Sequence, residues 1–182
     1  MTEKEKMLAG MIYDANYDDE LLKERTIAKD LCFEYNYLIK PSEVEKQNEI
    51  LKKLFGKTKE NFTVTAPWYN IELGENFYSN HNVVILDGAK VTFGDNVFIA
   101  PNCGFYTAGH PLDSERRNAG LEYAKPITVG NNVWFGAGVH VMPGVTIGND
   151  VVIAAGSVVT KDIPDGVVAA GVPCKVVKKI TG

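Results

Sequence analysis

The chain has no excess of basic residues: 19 Lys and Arg stand against 23 Asp and Glu, a formal net charge of −4. A protein that grips nucleic acid needs a basic stripe to neutralise phosphates, so nucleic acid is not expected as a partner. Long apolar runs are also missing. The amino terminus, Met1-Thr2-Glu3-Lys4-Glu5-Lys6, is charged and carries no run long enough for a signal peptide or a membrane span. A cytoplasmic protein without a membrane partner is expected. Cysteine is scarce, with Cys32, Cys103 and Cys174 scattered and no CxxC pair, so the three read as reduced packing residues and no metal is expected. Histidine is equally scarce, and His81, His110 and His140 can be weighed singly.

What the sequence does have is a repeat. Val129, Phe135, Val141, Ile147, Ile153 and Val159 are apolar and spaced by six, and four residues after each come Val133, Val139, Val145, Val151, Ser157 and Ile163. The period is neither 3.6 nor two. It is the hexapeptide signature of a parallel β-helix, with one short strand and one corner per unit and three units per coil. The same phase recurs at Leu73, Ser79 and Ile85, then at Phe93, Ile99 and Phe105. The first residue of each unit points into a triangular prism and stacks on its counterpart one coil away, with coils about 4.8 Å apart. The eight-residue step from Ile85 to Phe93 is a two-residue insertion, and the step of 24 from Phe105 to Val129 sends about 18 residues out of the prism. A structureless excursion of that length is usually functional.

The organisation expected is a helical region over residues 1–56 followed by a β-helix domain over 57–182, with a loop at about 108–127 and a basic tail. Residues 3–40 read as helix, capped at Asp18 or Asp19, with a stripe of Leu21, Ala28, Leu31, Cys32, Tyr35 and Leu38. After Pro41, Ser42 and Glu45 form a capping box for a second helix ending near Gly56 with Val44, Leu51, Leu54 and Phe55 on its apolar side. This helical pair is expected to cover the open end of the prism. Phe62-Thr63-Val64-Thr65 and Pro67-Trp68-Tyr69 mark a β-rich transition. Phe98, Trp134 and Val152 leave an outward apolar face that a three-fold contact would cover.

Three sets of residues could carry chemistry. His110, in Thr107-Ala108-Gly109-His110-Pro111, sits where the chain leaves the prism, a good place for a general base; the plainer reading is a turn histidine. His81 and His140 fall at corner or outward phases and read as packing or solvent residues. Tyr78, Asn80, Asn82 and Asp87 form a polar set in the early coils, around Ser79, which breaks the aliphatic rule. The alternative for them is a corner ladder that satisfies turn backbone. Ala137 and Ala155 are 18 residues apart, hence at one corner of neighbouring coils, where a thin ligand could lie. Trp134 stands beside this line, and Thr160, Lys161, Lys175 and Lys178 would meet an anionic group at its end.

Gly104 to His110-Pro111, the stretch from Asn118 to Ile127, Val129-Gly130-Asn131-Asn132-Val133-Trp134, and Gly156 through Pro173 resemble the maltose and galactoside O-acetyltransferases, members of the hexapeptide-repeat acyltransferases. Met7-Leu8-Ala9-Gly10 with Tyr13-Asp14, and Pro41-Ser42-Glu43-Val44, extend the resemblance over nearly the whole chain. It implies a mainly β protein, a left-handed parallel β-helix with an N-terminal helical cap and an excursion loop, an exception to the usual right-handed crossover. It also implies a homotrimer with active sites between subunits, acetyl-CoA as donor co-substrate and a sugar hydroxyl as acceptor. Carried over by position, His110 matches the catalytic histidine and Asn80 an acceptor-site asparagine. Tyr78, Asp14, Asp87 and Glu122 complete the expected acceptor side. Ala137, Ala155, Thr160 and Lys161 match the donor line, which takes in Trp134, and Lys175 and Lys178 stand where relatives carry basic residues for the phosphates of CoA.

Two departures fall on the acceptor side. A short Tyr- and Gly-containing segment between Tyr69 and Asn70 is missing, and Gly88 stands where galactoside enzymes have a second carboxylate after Asp87. The expected chemistry is direct transfer with His110 as base, since no cysteine matches a nucleophile position. The rival readings are an N-acetylating or antibiotic O-acetylating relative of the same fold, a γ-class carbonic-anhydrase-like zinc β-helix using the three histidines, and a non-catalytic binding trimer.

Overall fold

A computed structural model describes residues 1–40, 42–55 and 70–181. Pro41, Gly56, the Phe62–Thr65 stretch, Pro67–Tyr69 and the boundary expected at 56/57 lie outside the described residues.

From Ile71 onward the hexapeptide phase becomes three faces of a prism. One face stacks Ile71–Leu73, Val91–Phe93, Ile127–Val129 and Thr146–Ile147 as parallel strands. The second stacks Tyr78–Ser79, Phe98–Ile99, Trp134–Phe135, Val152–Ile153 and Val167–Ala170, and ends on the antiparallel strand Lys175–Lys179. The third stacks Val84–Leu86, Gly104–Tyr106, His140–Val141 and Val158–Val159. Register follows the repeat: Leu73, Phe93, Val129 and Ile147 pair in turn on the first face. The two-residue insertion makes the first coil step 20 residues, against 18 later.

Phe77, Phe93, Phe105 and Phe135 run up the prism interior with successive ring centroids 5.0–5.1 Å apart, the last two contacts edge to face. Such a ladder adds about 0.5–1.5 kcal/mol per pair beyond area burial. The fourth-position residues Val133, Val139, Val145 and Val151 are buried at the corners. Ser157 replaces valine there without penalty, because its hydroxyl donates to the Ala154 carbonyl at 2.6 Å and accepts from the Gly171 amide at 3.1 Å.

One corner is held by two side-chain ladders. Asn76, Asn96, Asn132 and Asp150 all have φ between 51° and 57°, a left-handed conformation that Asn and Asp tolerate. Each amide donates to the next residue at 2.9–3.0 Å. Asp95, Asn131, Asn149 and Asp165 accept from the backbone N–H one coil below at 2.7–2.9 Å. Asn82, with φ 60°, donates to Asn102 at 3.2 Å in the same way at another corner, so this member of the polar set is structural.

The amino-terminal region departs from the expected helical pair. A six-residue helix, α1 (Glu3–Leu8), is capped by Thr2, and Gly10 at φ 69° then turns the chain into the strand Tyr13–Asp14. Helix α2 (Asp19–Phe33) starts at Asp18, whose carboxylate accepts from the Leu21 amide at 3.0 Å. A π-turn over Glu34–Leu38 follows; the expected stripe holds from buried Leu21 through half-buried Ala28, Leu31, Cys32 and Tyr35 and is lost at Leu38, which is 66% exposed. Helix α3 (Val44–Leu54) has Glu43 rather than Ser42 at its N-cap, without a side-chain cap bond. The capping box is displaced because the Glu43 carboxylate instead accepts from the Lys40 amide at 3.1 Å. Val44 faces solvent, and Ile50 takes its expected place on the buried side with Leu51 and Leu54.

The core of the prism is met by α3, where Leu51 and Phe55 join the cluster of Ile71, Leu73 and Phe77, and by half-buried Tyr35, which packs against the same cluster. Met7 of α1 and Leu21 of α2 pack instead with Tyr13, Ala15, Ala89 and Ala124 at the side of the prism. The excursion is ordered. Ala108–Gly109 and Leu121–Ala124 pair antiparallel around a short helix, α4 (Ser114–Asn118), and Tyr13–Asp14 adds a third strand.

Candidate active site

Three contacts fix where His110 leaves the prism. Thr107 is fully buried; its hydroxyl donates to the Leu86 carbonyl and accepts from the Ala89 amide at 3.0 Å. Its carbonyl accepts from the Lys125 amide at 2.8 Å, closing the base of the excursion. Gly109 lies under the Tyr123 ring, whose outer end a Cβ there would meet at 2.6 Å.

The imidazole that emerges is half exposed, with Nδ1 3.1 Å from the Leu121 carbonyl oxygen. A carbonyl only accepts, so in this bond Nδ1 carries the proton and neutral His110 presents Nε2 as its basic atom. Glu122 Oε1 lies 3.8 Å from Nε2, so a carboxylate faces this atom. The other carboxylate oxygen of Glu122 accepts from the Tyr13 hydroxyl at 3.5 Å. Burial, then the Glu122 charge, pushes the Tyr13 phenol up to about 12, so it stays a donor.

His110 and Glu122 open onto a cleft of about 510 Å³ between α1, α2 and the base of the excursion. Asp87 also lines it; this buried carboxylate accepts from the Asn70 amide at 2.8 Å. Asp14 does not line it: Asp14 pairs with Leu121 across the sheet, and its carboxylate accepts from the Asn16 and Tyr17 amides at 3.0 Å.

Tyr78, Asn80 and Trp134 lie elsewhere, in a second, shallower groove on the outward second face with Phe98. The Asn80 amide donates to the Tyr78 hydroxyl at 3.2 Å, and its oxygen accepts from the His81 amide at 2.7 Å, so Asn80 stands outside the corner ladders. His140 is a packing residue, with Nδ1 3.3 Å from the Tyr106 hydroxyl.

Ala137 and Ala155 stack as their spacing implied. The Gly156 amide donates to the Ala137 carbonyl at 2.9 Å, and a Cβ on Gly136 would meet the Ala155 amide nitrogen at 2.5 Å. Both alanines are exposed, and a Cβ on Gly156 would meet nothing within 4 Å, so the corner is open to solvent. Thr160, Lys161, Lys175 and Lys178 are exposed near the same end.

No group of three or more His, Cys, Asp or Glu side chains is placed to hold a metal among the described residues. Burial pushes the thiols of Cys103 and Cys174 up, and that of Cys32 to about 11, which makes all three poor nucleophiles at neutral pH. No helix among the described residues is long and apolar enough to cross a membrane.

Residues 6–59 match the maltose acetyltransferase hexapeptide capping motif, and residues 126–161 match the six-repeat bacterial transferase hexapeptide. A candidate acetyltransferase of Saccharomyces cerevisiae is 57% identical over 97% of this chain and 92% of its own. The chain belongs to the hexapeptide-repeat acetyltransferases. Among solved structures, a maltose O-acetyltransferase from Clostridium difficile 630 superposes with a TM-score of 0.90 at 49% identity, covering 100% of this chain and 99% of that one. A galactoside acetyltransferase in complex with coenzyme A gives a TM-score of 0.93 at 46% identity, covering 100% and 92%. The prism of this acetyltransferase is therefore the family's left-handed β-helix.

The structure brings His110 and Glu122 together, and it adds Tyr13 of the amino-terminal strand, which sequence reasoning did not single out. Tyr13 completes the His110 surroundings from about 100 residues away, and the only local signal was the Gly10 break before it.

Proposed function

We propose that this acetyltransferase uses acetyl-CoA to acetylate a hydroxyl group of a sugar or related small molecule by direct transfer, with His110 as general base. The observation that carries the reading is the bond from His110 Nδ1 to the Leu121 carbonyl, which makes Nε2 the basic atom of the neutral ring where His110 lines the cleft. A base needs that atom within hydrogen-bond reach of the hydroxyl it deprotonates.

His110 Nε2 takes the acceptor's proton as the hydroxyl oxygen bonds to the acetyl carbon, and the imidazolium returns it to the departing sulfur. Acetyl-CoA supplies the thioester carbonyl whose C–S bond breaks. Glu122 stabilises the imidazolium while it exists, and backbone N–H groups stabilise negative charge on the carbonyl oxygen. Asp87 and Glu122 offer acceptor oxygens to neighbouring hydroxyls of the substrate. The open Ala137–Ala155 corner leaves room for a long thin arm, and Thr160, Lys161, Lys175 and Lys178 suit the phosphates at its end. The coenzyme A bound by the galactoside acetyltransferase supports this assignment of the donor.

The chain is proposed to act as a homotrimer. Tyr78, Phe98, Trp134 and Val152 are in register on one outward face, with Phe98 48% and Trp134 55% exposed. A three-fold contact would cover this ladder and bring Asn80 and Trp134 of one subunit to the His110 cleft of the next.

The direct test is release of free coenzyme A from acetyl-CoA against a panel of hydroxyl and amine compounds. Turnover with hydroxyl acceptors supports the reading, and turnover confined to amines overturns it.

A further inference from the structure

Tyr13 and Glu122 face each other directly across the antiparallel pair made by the amino-terminal strand and the excursion, so their side chains share one side of that small sheet. The tyrosine ring is 5% exposed and packs with Met7, Ala15, Leu21, Ala89 and Ala124, which hold it in place. A phenylalanine would fill the same space, so packing alone does not call for the hydroxyl. A polar group this deep weakens a fold unless it is bonded. The bond that this hydroxyl makes is to Glu122 Oε2, at 3.5 Å.

Glu122 is the looser member of the pair. Its side chain is 23% exposed and turns about several bonds. The cations nearby are placed otherwise: Arg25 donates to the Ala15 carbonyl, and Lys29 is exposed. With Oε2 tied to the phenol, Oε1 lies 3.8 Å from His110 Nε2. Neighbouring residues of one strand thus serve both ring nitrogens, the Leu121 carbonyl at Nδ1 and the Glu122 carboxylate at Nε2. A glutamate released from the phenol could swing away, and its attraction for the imidazolium would fall with distance.

Resting on the reading of His110 as general base, we propose that Tyr13 is a positioning residue for acetyl transfer: its hydroxyl ties one oxygen of Glu122 so that the other faces His110. Tyr13 touches neither substrate and acts only through Glu122. Burial, then the Glu122 charge, pushes the phenol up to about 12, so it stays a donor and the tie does not loosen at neutral pH.

The test is a double-mutant cycle of Tyr13→Phe and Glu122→Met on kcat, read by coenzyme A release from acetyl-CoA with a hydroxyl acceptor drawn from the panel above. Methionine keeps the length of glutamate without its charge. Tyr13→Phe alone should lower kcat roughly tenfold and leave the KM for acetyl-CoA and for the acceptor within about twofold. Glu122→Met should lower kcat at least as far. In the Glu122→Met background, Tyr13→Phe should change kcat by less than about twofold. Equal losses in both backgrounds overturn the proposal, and so does a Tyr13→Phe effect confined to the acceptor KM, which would make Tyr13 an acceptor contact. An unaltered kcat in Glu122→Met overturns it without any Tyr13 variant. Failure of the base reading shows separately. Turnover in His110→Ala close to that of the unaltered protein refutes the base whatever the cycle gives, whereas lost turnover there with additive effects in the cycle refutes only the positioning of Glu122 by Tyr13.

Discussion

Nδ1 of His110 lies 3.1 Å from the carbonyl oxygen of Leu121, and that one contact selects which imidazole nitrogen can act as a base. Leu121 is held in place because its strand pairs on both sides, with Tyr13–Asp14 and with Ala108–Gly109. The amino-terminal segment therefore supports the proposed base through the backbone as well as through Tyr13.

Tyr13 gives a prediction about alkaline stability. Its phenol has an ordinary value of 10.0 and is pushed up to about 12 in the fold, so folding favours the protonated form. The stabilisation is fully present below pH 10 and is lost as pH rises from 10 through 12. Melting temperatures across that window should fall less steeply for Tyr13→Phe than for the unaltered protein. Parallel curves would show that the phenol is not held in its neutral form.

The open corner gives a prediction about the donor. Ala155→Phe should raise the KM for acetyl-CoA about tenfold or more while leaving the acceptor KM nearly unchanged, because a ring cannot share the corner with a bound arm. Charge reversal at Lys175 and Lys178 should weaken donor binding more at low salt than at high salt. An unchanged acetyl-CoA KM in Ala155→Phe would place the donor elsewhere.

Much of this fold was readable because the hexapeptide period leaves few alternatives. Once Val129, Phe135 and Val141 are phased, the three faces and their register follow, and so does the stacking of Ala137 on Ala155. The amino-terminal region was harder. Its layout depends on Gly10, on the Asp14 side chain capping a turn at Asn16 and Tyr17, and on a π-turn at Glu34–Leu38. None of these has a period. The strand Tyr13–Asp14 pairs with a strand 109 residues away, and such a partner is invisible to local patterns. The same reason hid the order of the excursion, whose hairpin rests on Thr107 and on the close fit of Gly109 to Tyr123.

The exposed ladder predicts the oligomeric state. Sedimentation equilibrium should give three times the 20.0 kDa chain mass, and Phe98→Glu should shift the protein toward the monomer and lower activity with it. A fully active monomer would contradict a site shared between subunits.

The central claim rests on His110, and acetyl transfer by His110→Ala tests it most directly. The side chain is half exposed, so the fold and coenzyme A affinity should survive. Turnover, measured by coenzyme A release at saturating acetyl-CoA, should fall by a factor on the order of 10²–10⁴. Turnover close to that of the unaltered protein would show that another group takes the proton.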